Sequence, residues 1–426
     1  MVEAPSLDPA GWPEVEITPR AAKRLAGGHL WVFANEVTAA GDPGRPAFWC
    51  RFRAGGNPVG WGCYNRHSLI AGRLFAFGAS EDRLDGLLER RLAAAIGRRL
   101  PLPPGRAARL VFSEADFLPG LVVDFYPPYG VLQSHTAGID LVLPLLEEIL
   151  PAALRRAFGA PPAGLLIRAD APVRELEAVG RFTRIAFGDR EALRAAWVEE
   201  EGVRFAADLV EGQKTGFFLD QRENRLRFEE AVRQMPGARV LDLFSYSGGW
   251  GLRALRAGAG RVVFVEESRE ALELLERSLA ANGLPRERAA LCRADVFEFL
   301  ARDAGRYDFV VSDPPAFAKS KKALPQAHRA YLKLNRLAWR RLKPGGLLFA
   351  SSCSRLVSEA EFAGILAAAV RREGGRAHVA YRGMQAPDHP VLLSMPETAY
   401  LKCFALRKVE GENGGPPARS FPLISK

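Results

Sequence analysis

The sequence predicts an α/β chain in which a C-terminal doubly wound parallel sheet follows a small β-rich part and a middle α+β part. Three observations predict it. Beyond residue 238 apolar strand runs alternate with helical periodicities; residues 14–77 hold short strands broken by turn signals; residues 106–200 mix the two patterns. A chain of 426 residues also exceeds what one ordinary core holds.

The N-terminal strands fall at residues 48–53, 58–64 and 69–77, with Gly55, Gly56 and Asn57 turning between the first two. A charged helix over 81–100 keeps Leu and Ala on one face and stops at the Pro-rich stretch 101–105. In the middle part, strands at 121–124 and 131–134 precede an apolar helix over 140–158, closed by Gly159 and Pro161. The C-terminal part reads as strands at 240–243, 262–266, 309–313 and 347–351, with a helix over 269–282 closed by Gly283. The expected domains are therefore 1–78, 79–200 and 201–426, ending in a frayed tail that carries Gly414, Gly415, Pro416 and Pro417.

Charge and cysteines narrow the function. Fifty-nine Lys and Arg against 49 Asp and Glu leave a net +10, which suits a polyphosphate partner, although Arg-rich usage also follows genomic base composition. The five cysteines, Cys50, Cys63, Cys292, Cys353 and Cys403, are scattered, with no CxxC pair and no His at zinc spacing. Reduced thiols in the cytoplasm and no metal are expected. The N-terminus lacks a basic stretch followed by an apolar run, and no segment approaches about 18 uninterrupted apolar residues, so neither secretion nor a membrane span is expected. A homodimer is compatible with the sequence.

The run RVLDLFSYSGGWG, residues 239–251, is an apolar strand entering a small-residue turn and a helix, a geometry that leaves backbone N–H groups free for a ligand. Phe244, Ser245 and Gly248 belong to this turn. Asp242 is placed to hold a bound amino group, Glu266 at the second strand end to bind ribose hydroxyls, and Asp295 after the third strand to accept from an adenine amine. The turn lacks the G-x-G-x-x-G spacing of a dinucleotide site, and S-adenosylmethionine, which has no phosphates, fits better. Taken alone the turn is equally a plain strand-to-helix connection; Glu266, Asp295 and the next motif, arriving in order, argue for the cofactor.

That motif is YDFVVSDPPAF, residues 307–317, with Asp313 at the carboxyl end of the fourth strand. Asp313, Pro314 and Pro315 offer a carboxylate and rigid carbonyls to the polar edge of a planar base, and Phe317 could pack on its face. The strand LLFASSCS then brings Cys353 to a neighbouring strand end. A cytosine C5 is a poor nucleophile, and a thiolate adding at C6 pushes electron density onto it. A small buried strand residue is the alternative for Cys353. The remaining cysteines read as packing residues, and His328 and His389 as isolated ones.

These residues resemble the bacterial large-subunit ribosomal RNA 5-methylcytosine methyltransferases, built from a PUA domain, an EEHEE domain and a Rossmann-like class I methyltransferase domain. The resemblance is carried by GWGCYNRHSLIAGR (60–73), SEADFLPGLVVD (113–124) and EGQKTGFFLDQRENR (211–225), and it spans most of the chain. It implies ribosomal RNA as partner, S-adenosylmethionine as cofactor, Cys353 as nucleophile and Asp313 as the acid beside it. It further implies that Gln213, Lys214, Phe218, Asp220 and Arg222 lie in a segment closing over cofactor and substrate, with Phe218 and Asp220 toward the cofactor and Lys214 and Arg222 toward the RNA. Read from its residues alone, the same segment has a structural hairpin as its lesser alternative. One departure stands out: Ala316 occupies the place after Asp-Pro-Pro where many such enzymes carry a second cysteine. The same architecture is similar to ribosomal methyltransferases that modify guanine nitrogens without any cysteine, and an inactive RNA-binding module is a third reading.

Overall fold

The structure, a computed structural model, describes residues 5–41, 43–80, 82–318 and 320–409; the glycine- and proline-rich tail lies outside them. The chain divides into two compact units. One runs to Ala196 and also takes in two later segments, Asp208–Gly216 and Asp388–Thr398; the other comprises Trp197–Ala207, Phe217–Pro387 and the described residues from Ala399 onward.

The first unit opens with a six-stranded sheet of Glu14–Ile17 (β1), Trp31–Val32 (β2), Val37–Ala40 (β3), Ala47–Ala54 (β4), Asn57–Asn65 (β5) and Gly72–Phe77 (β6), in the order β2-β6-β5-β4-β1-β3. The strand expected from residue 69 starts at Gly72, because Asn65 turns the chain by accepting the His67 N–H at 3.1 Å. A five-stranded sheet follows, Ala108–Phe112 (β7), Leu121–Tyr126 (β8), Tyr129–Ser134 (β9), Gly164–Ala169 (β10) and Phe182–Phe187 (β11), in the order β11-β10-β9-β8-β7. The helix expected over 140–158 is two helices, Ala137–Asp140 and Leu143–Phe158. Val142 leaves helical geometry and Pro144, which has no N–H to give, sits in the first turn of the second helix. Trp12, Trp49 and Trp61 share one core with Leu88, Val111, Leu132 and Leu146, so a truncation at residue 78 would expose that core.

A two-stranded ribbon, Ala196–Glu200 (β12) and Val203–Ala207 (β13), belongs from Trp197 onward to the second unit, which also holds a seven-stranded sheet. Its strands are Arg239–Leu243 (β14), Arg261–Glu266 (β15), Ala289–Arg293 (β16), Tyr307–Ser312 (β17), Leu342–Ser352 (β18), Ala377–Gly383 (β19) and Lys402–Lys408 (β20), in the order β16-β15-β14-β17-β18-β20-β19. The five from β14 to β18 pair in parallel, and β20 pairs antiparallel with β18 and β19. The apolar run Val262–Val265 of β15 and the buried Val240, Leu241, Leu243, Phe309, Val310 and Val311 of β14 and β17 follow from burial of the sheet between helices. The Arg269–Ala281 helix shows how local signals set its ends. Ser268 caps its start by accepting the Ala271 N–H at 3.1 Å, Leu274, Leu275 and Leu279 face the core, and Gly283 just beyond takes the left-handed conformation. Chain order reverses on either side of β14, so the carboxyl ends of β14, β15 and β17 surround a switch point where such sheets bind ligands.

Candidate active site

Asp242 is fully buried on β14. Its Oδ2 accepts the Gly251 N–H at 2.9 Å, tying the strand to the first turn of the Gly251–Arg256 helix, while its Oδ1 has no hydrogen-bond partner. Burial, opposed by the Gly251 amide and reinforced by the negative charges of Asp313 and Glu266, pushes this carboxyl up to about 8. The turn from Phe244 to Gly248 is strained: Phe244 and Tyr246, neither a glycine, have φ of 59° and 46°. Such residues cost on the order of 1–3 kcal/mol each and persist only where neighbours hold them. The holders are Glu266, whose Oε2 accepts the Tyr246 N–H at 2.8 Å, and the Val265 carbonyl, which accepts the Ser245 N–H at 3.1 Å. Gly248, at φ 86°, leaves room that a Cβ would fill against Leu252 and Leu275. Ser245 and Ser247 are buried with hydroxyls that have no partner.

Glu266 also accepts the Glu267 and Ser268 N–H groups on Oε1, at 2.9 and 3.0 Å. Asp295, exposed beyond β16, caps the Val296–Arg302 helix through Oδ1 on the Glu298 N–H at 2.9 Å. The Phe218 ring meets Tyr246 edge-on with centroids 5.5 Å apart, and its carbonyl accepts from Arg225 at 2.9 Å. Asp220 is buried, and its Oδ2 accepts the Tyr400 hydroxyl at 2.6 Å. Arg222 is buried at the start of its helix, 3.2 Å from Glu223. Lys214 belongs to the first unit, where it is exposed; its neighbour Thr215 donates to Asp124 at 2.6 Å and shares a 2.8 Å hydrogen bond with Tyr126.

Asp313 follows β17 directly, and both its oxygens are used: Oδ1 accepts Gln221 Nε2 at 2.9 Å and Oδ2 accepts Trp250 Nε1 at 3.0 Å. Pro314 is buried and Pro315 exposed. The Phe317 ring leans on Tyr331, with centroids 4.7 Å apart. On the adjacent parallel strand, Ala350 is the register partner of Ser312, and Cys353 follows β18 as a half-buried cysteine outside any disulfide. Ser352, Ser354 and Tyr331 join their hydroxyls around its backbone at 2.8 and 3.0 Å.

A family profile described as S-adenosylmethionine-dependent methyltransferase matches residues 184–406, and a PUA-like domain profile matches residues 15–77. The chain is 36% identical over 392 residues to ribosomal RNA large subunit methyltransferase I of Photobacterium profundum, covering 90% of this chain and 96% of that relative. The protein of the same description from Vibrio cholerae is 34% identical over 403 residues, covering 93% and 99%. The chain belongs to this methyltransferase family. Among solved structures, a Streptococcus mutans chain described as a SAM-dependent methyltransferase shares the fold, with a TM-score of 0.76 at 20% identity over 92% of this chain and 99% of that one.

The methyltransferase uses S-adenosylmethionine, and the residues fit such a ligand. A buried carboxyl oxygen without a partner, two buried hydroxyls without partners and a strained turn with a left-handed glycine lie together at the ends of β14 and β15. A cationic ligand with hydroxyls supplies what those atoms lack. The structure thus brings Asp242, Phe244, Ser245, Gly248, Glu266 and Phe218 to one loop cluster, and Asp313, Pro314, Pro315, Phe317 and Cys353 to the next two strand ends. It directs Asp220 to Tyr400 and Arg222 to Glu223. His389, which reads as isolated in the sequence, is buried beside the Asp388 carboxylate at 3.2 Å in the first unit.

Three residues escaped sequence reasoning: Gln221 and Trp250, which hold Asp313, and Lys402 on β20. Lys402 had a signal, being a lysine inside the apolar run from Leu401 to Leu406. Gln221 and Trp250 stand inside two segments singled out above, 211–225 and 239–251, but their distance along the chain from Asp313 hides the contact. Among the described residues no group of three or more His, Cys, Asp or Glu side chains could hold a metal ion, and no helix is long and apolar enough to cross a membrane.

Proposed function

We propose that the protein methylates C5 of a cytosine in large-subunit ribosomal RNA through a covalent bond between Cys353 and C6. The observation that carries the reading is the placing of a half-buried thiol, Cys353, one parallel strand away from an immobilised carboxylate, Asp313. The RNA assignment draws on the relatives being ribosomal RNA large subunit methyltransferases, on the PUA-like match and on the net charge of +10. Residues 1–78 hold RNA, 79–200 form the middle part and 201–426 carry out the transfer; five cysteines outside any disulfide suit a reducing cytoplasm.

Asp242 holds the amino group of S-adenosylmethionine, Glu266 its ribose and Asp295 its adenine, with Phe218 beside the Phe244–Gly248 turn. S-adenosylmethionine supplies an electrophilic methyl group. Asp313 and the carbonyls of Pro314 and Pro315 hold the polar edge of the base. The Cys353 thiolate would add to C6 and make C5 nucleophilic toward the methyl group; loss of the C5 proton to solvent and breaking of the C6–S bond would then restore the C5–C6 double bond and return the thiolate. Lys214 is an exposed cation for the RNA backbone.

Cys353→Ala tests the reading. Turnover should fall by roughly a thousandfold or more while cofactor affinity stays near wild type, since the thiol acts on the base. RNA carrying 5-fluorocytosine at the target should trap the wild-type protein and leave the variant untrapped. An alanine variant that methylates at a near wild-type rate would move the assignment to a guanine nitrogen, a reaction that needs no thiol and with which Ala316 agrees.

A further inference from the structure

Lys402 is 7% exposed, an unusual position for an ammonium group. It pairs in register with Ser352, and its Nζ donates to the Ser354 carbonyl at 2.7 Å and the Tyr400 carbonyl at 2.9 Å. The side chain therefore brackets Cys353, with its strand partner on one side of the cysteine and its hydrogen-bonded carbonyl on the other. Among the described residues no carboxylate forms an ion pair with it. Two carbonyls account for both N–H groups of a neutral amine and leave its lone pair, or account for two of the three N–H groups of an ammonium.

Resting on the reading of Cys353 as nucleophile, we propose that Lys402 is a positioning residue that sets the charge of that thiol. The S–H bond of Cys353 breaks, its proton reaches the Lys402 lone pair through solvent at the half-buried thiol, and a thiolate and an ammonium remain. The electron pair of the broken bond stays on sulfur, so the step needs no further reactant.

The electrostatics agree. Burial lowers the Lys402 amine to about 8, against the raising influence of Cys353, Glu361 and Glu359, the last two from the Glu359–Arg372 helix. An amine so placed exchanges a proton with a thiol near neutral pH, whereas an exposed lysine stays charged. Tyr331, from the Leu324–Arg341 helix, also interacts with Cys353; burial raises it, so it remains a neutral hydroxyl in this range.

The experiment is site-resolved alkylation of the full-length protein by iodoacetamide across a pH series, with Cys353 read by peptide mass spectrometry. Cys50, Cys63 and Cys403 are buried, and Cys292 serves as an internal reference. In Lys402→Met the Cys353 midpoint should rise by about one pH unit or more, making the thiol roughly tenfold less reactive at neutral pH, with rates converging at strongly alkaline pH. Lys402→Gln, which keeps an amide donor for the carbonyls and guards against a folding defect, should show the same rise. Methyl transfer at neutral pH should fall in step in both variants, with unchanged KM for S-adenosylmethionine. A wild-type Cys353 midpoint in either folded variant overturns the proposal. Alkylation reads the thiol alone, so this result is distinct from a failure of the C5 reading, which shows as an active Cys353→Ala variant.

Discussion

Two carboxylates one strand apart are treated in opposite ways. Asp242, at the end of β14, is buried with one oxygen on the Gly251 amide and the other without a partner, and its carboxyl is pushed up to about 8. Asp313, just past β17, is half-buried with both oxygens engaged by Gln221 and Trp250. The first is incomplete until a cation arrives; the second is locked before any ligand arrives. A site that recruits a charged cofactor gains from an acceptor whose charge appears on binding, whereas a site that orients a base gains from a carboxylate whose position is settled in advance.

The largest expected effect concerns the locked carboxylate. Asp313→Asn should cut kcat by roughly a hundredfold to a thousandfold, the scale of losing one positioned electrostatic group, while cofactor affinity changes little. Equal losses of kcat and of cofactor affinity would erase the distinction between the two acids.

Asp242→Asn should do the reverse. Asparagine can still accept the Gly251 N–H but cannot pair with a cation, so S-adenosylmethionine should bind more weakly by about 1.5–3 kcal/mol. The pH dependence sharpens this. With the carboxyl held up at about 8, the ligand-free protein carries the proton at neutral pH and below; binding the ammonium favours the carboxylate and releases that proton. Wild-type affinity should therefore climb by up to about tenfold per unit between about pH 5.5 and 7.5, and the asparagine variant should be flat, as read by calorimetry in two buffers.

How much of this is legible in the sequence follows from range. The strand ends carrying Asp242, Glu266, Asp313 and Cys353 are legible because apolar runs, small-residue turns and the Asp-Pro-Pro unit are local signals. The restart of the helix at Leu143 was also local, with Pro144 in plain view, but the apolar period on either side of it masks the break. Partnerships across the fold were not legible. Nothing near Asp208–Gly216 or Asp388–Thr398 shows that these segments join the first unit, and nothing near Asp220 points to Tyr400. Lys402 reads as a misplaced lysine until its register with Ser352 sets it beside the thiol.

A smaller effect is expected where one acid supports the recruiting turn from outside. Glu266→Ala removes three backbone contacts, to Tyr246, Glu267 and Ser268, together with the proposed ribose contact. Cofactor affinity should drop by about 1–2 kcal/mol, because three backbone amides lose their acceptor together with the ribose contact. An unchanged dissociation constant for S-adenosylmethionine would remove Glu266 from the cofactor site.

The smallest effect should come from loosening the lock without removing the acid. Trp250 is buried against Phe228 and Phe349, with ring centroids 5.6 and 6.0 Å away, and its indole N–H is one of the two donors on Asp313. Trp250→Phe keeps much of the apolar packing and deletes the donor, so Asp313 keeps Gln221 and gains freedom on its Oδ2 side. A single hydrogen bond to a charged group is worth about 1.5–3 kcal/mol, and solvent at a half-buried carboxylate recovers part of it, which leaves a loss of several-fold to about tenfold in kcat. Cofactor affinity and its rise with pH should be untouched, since Asp242 does not contact the indole nitrogen. The cavity left by the smaller ring lowers Tm by a few degrees, so kcat is compared well below the transition. Should Trp250→Phe match Asp313→Asn in kcat, the carboxylate acts only when fully held, and the lock rather than the charge is what the base requires.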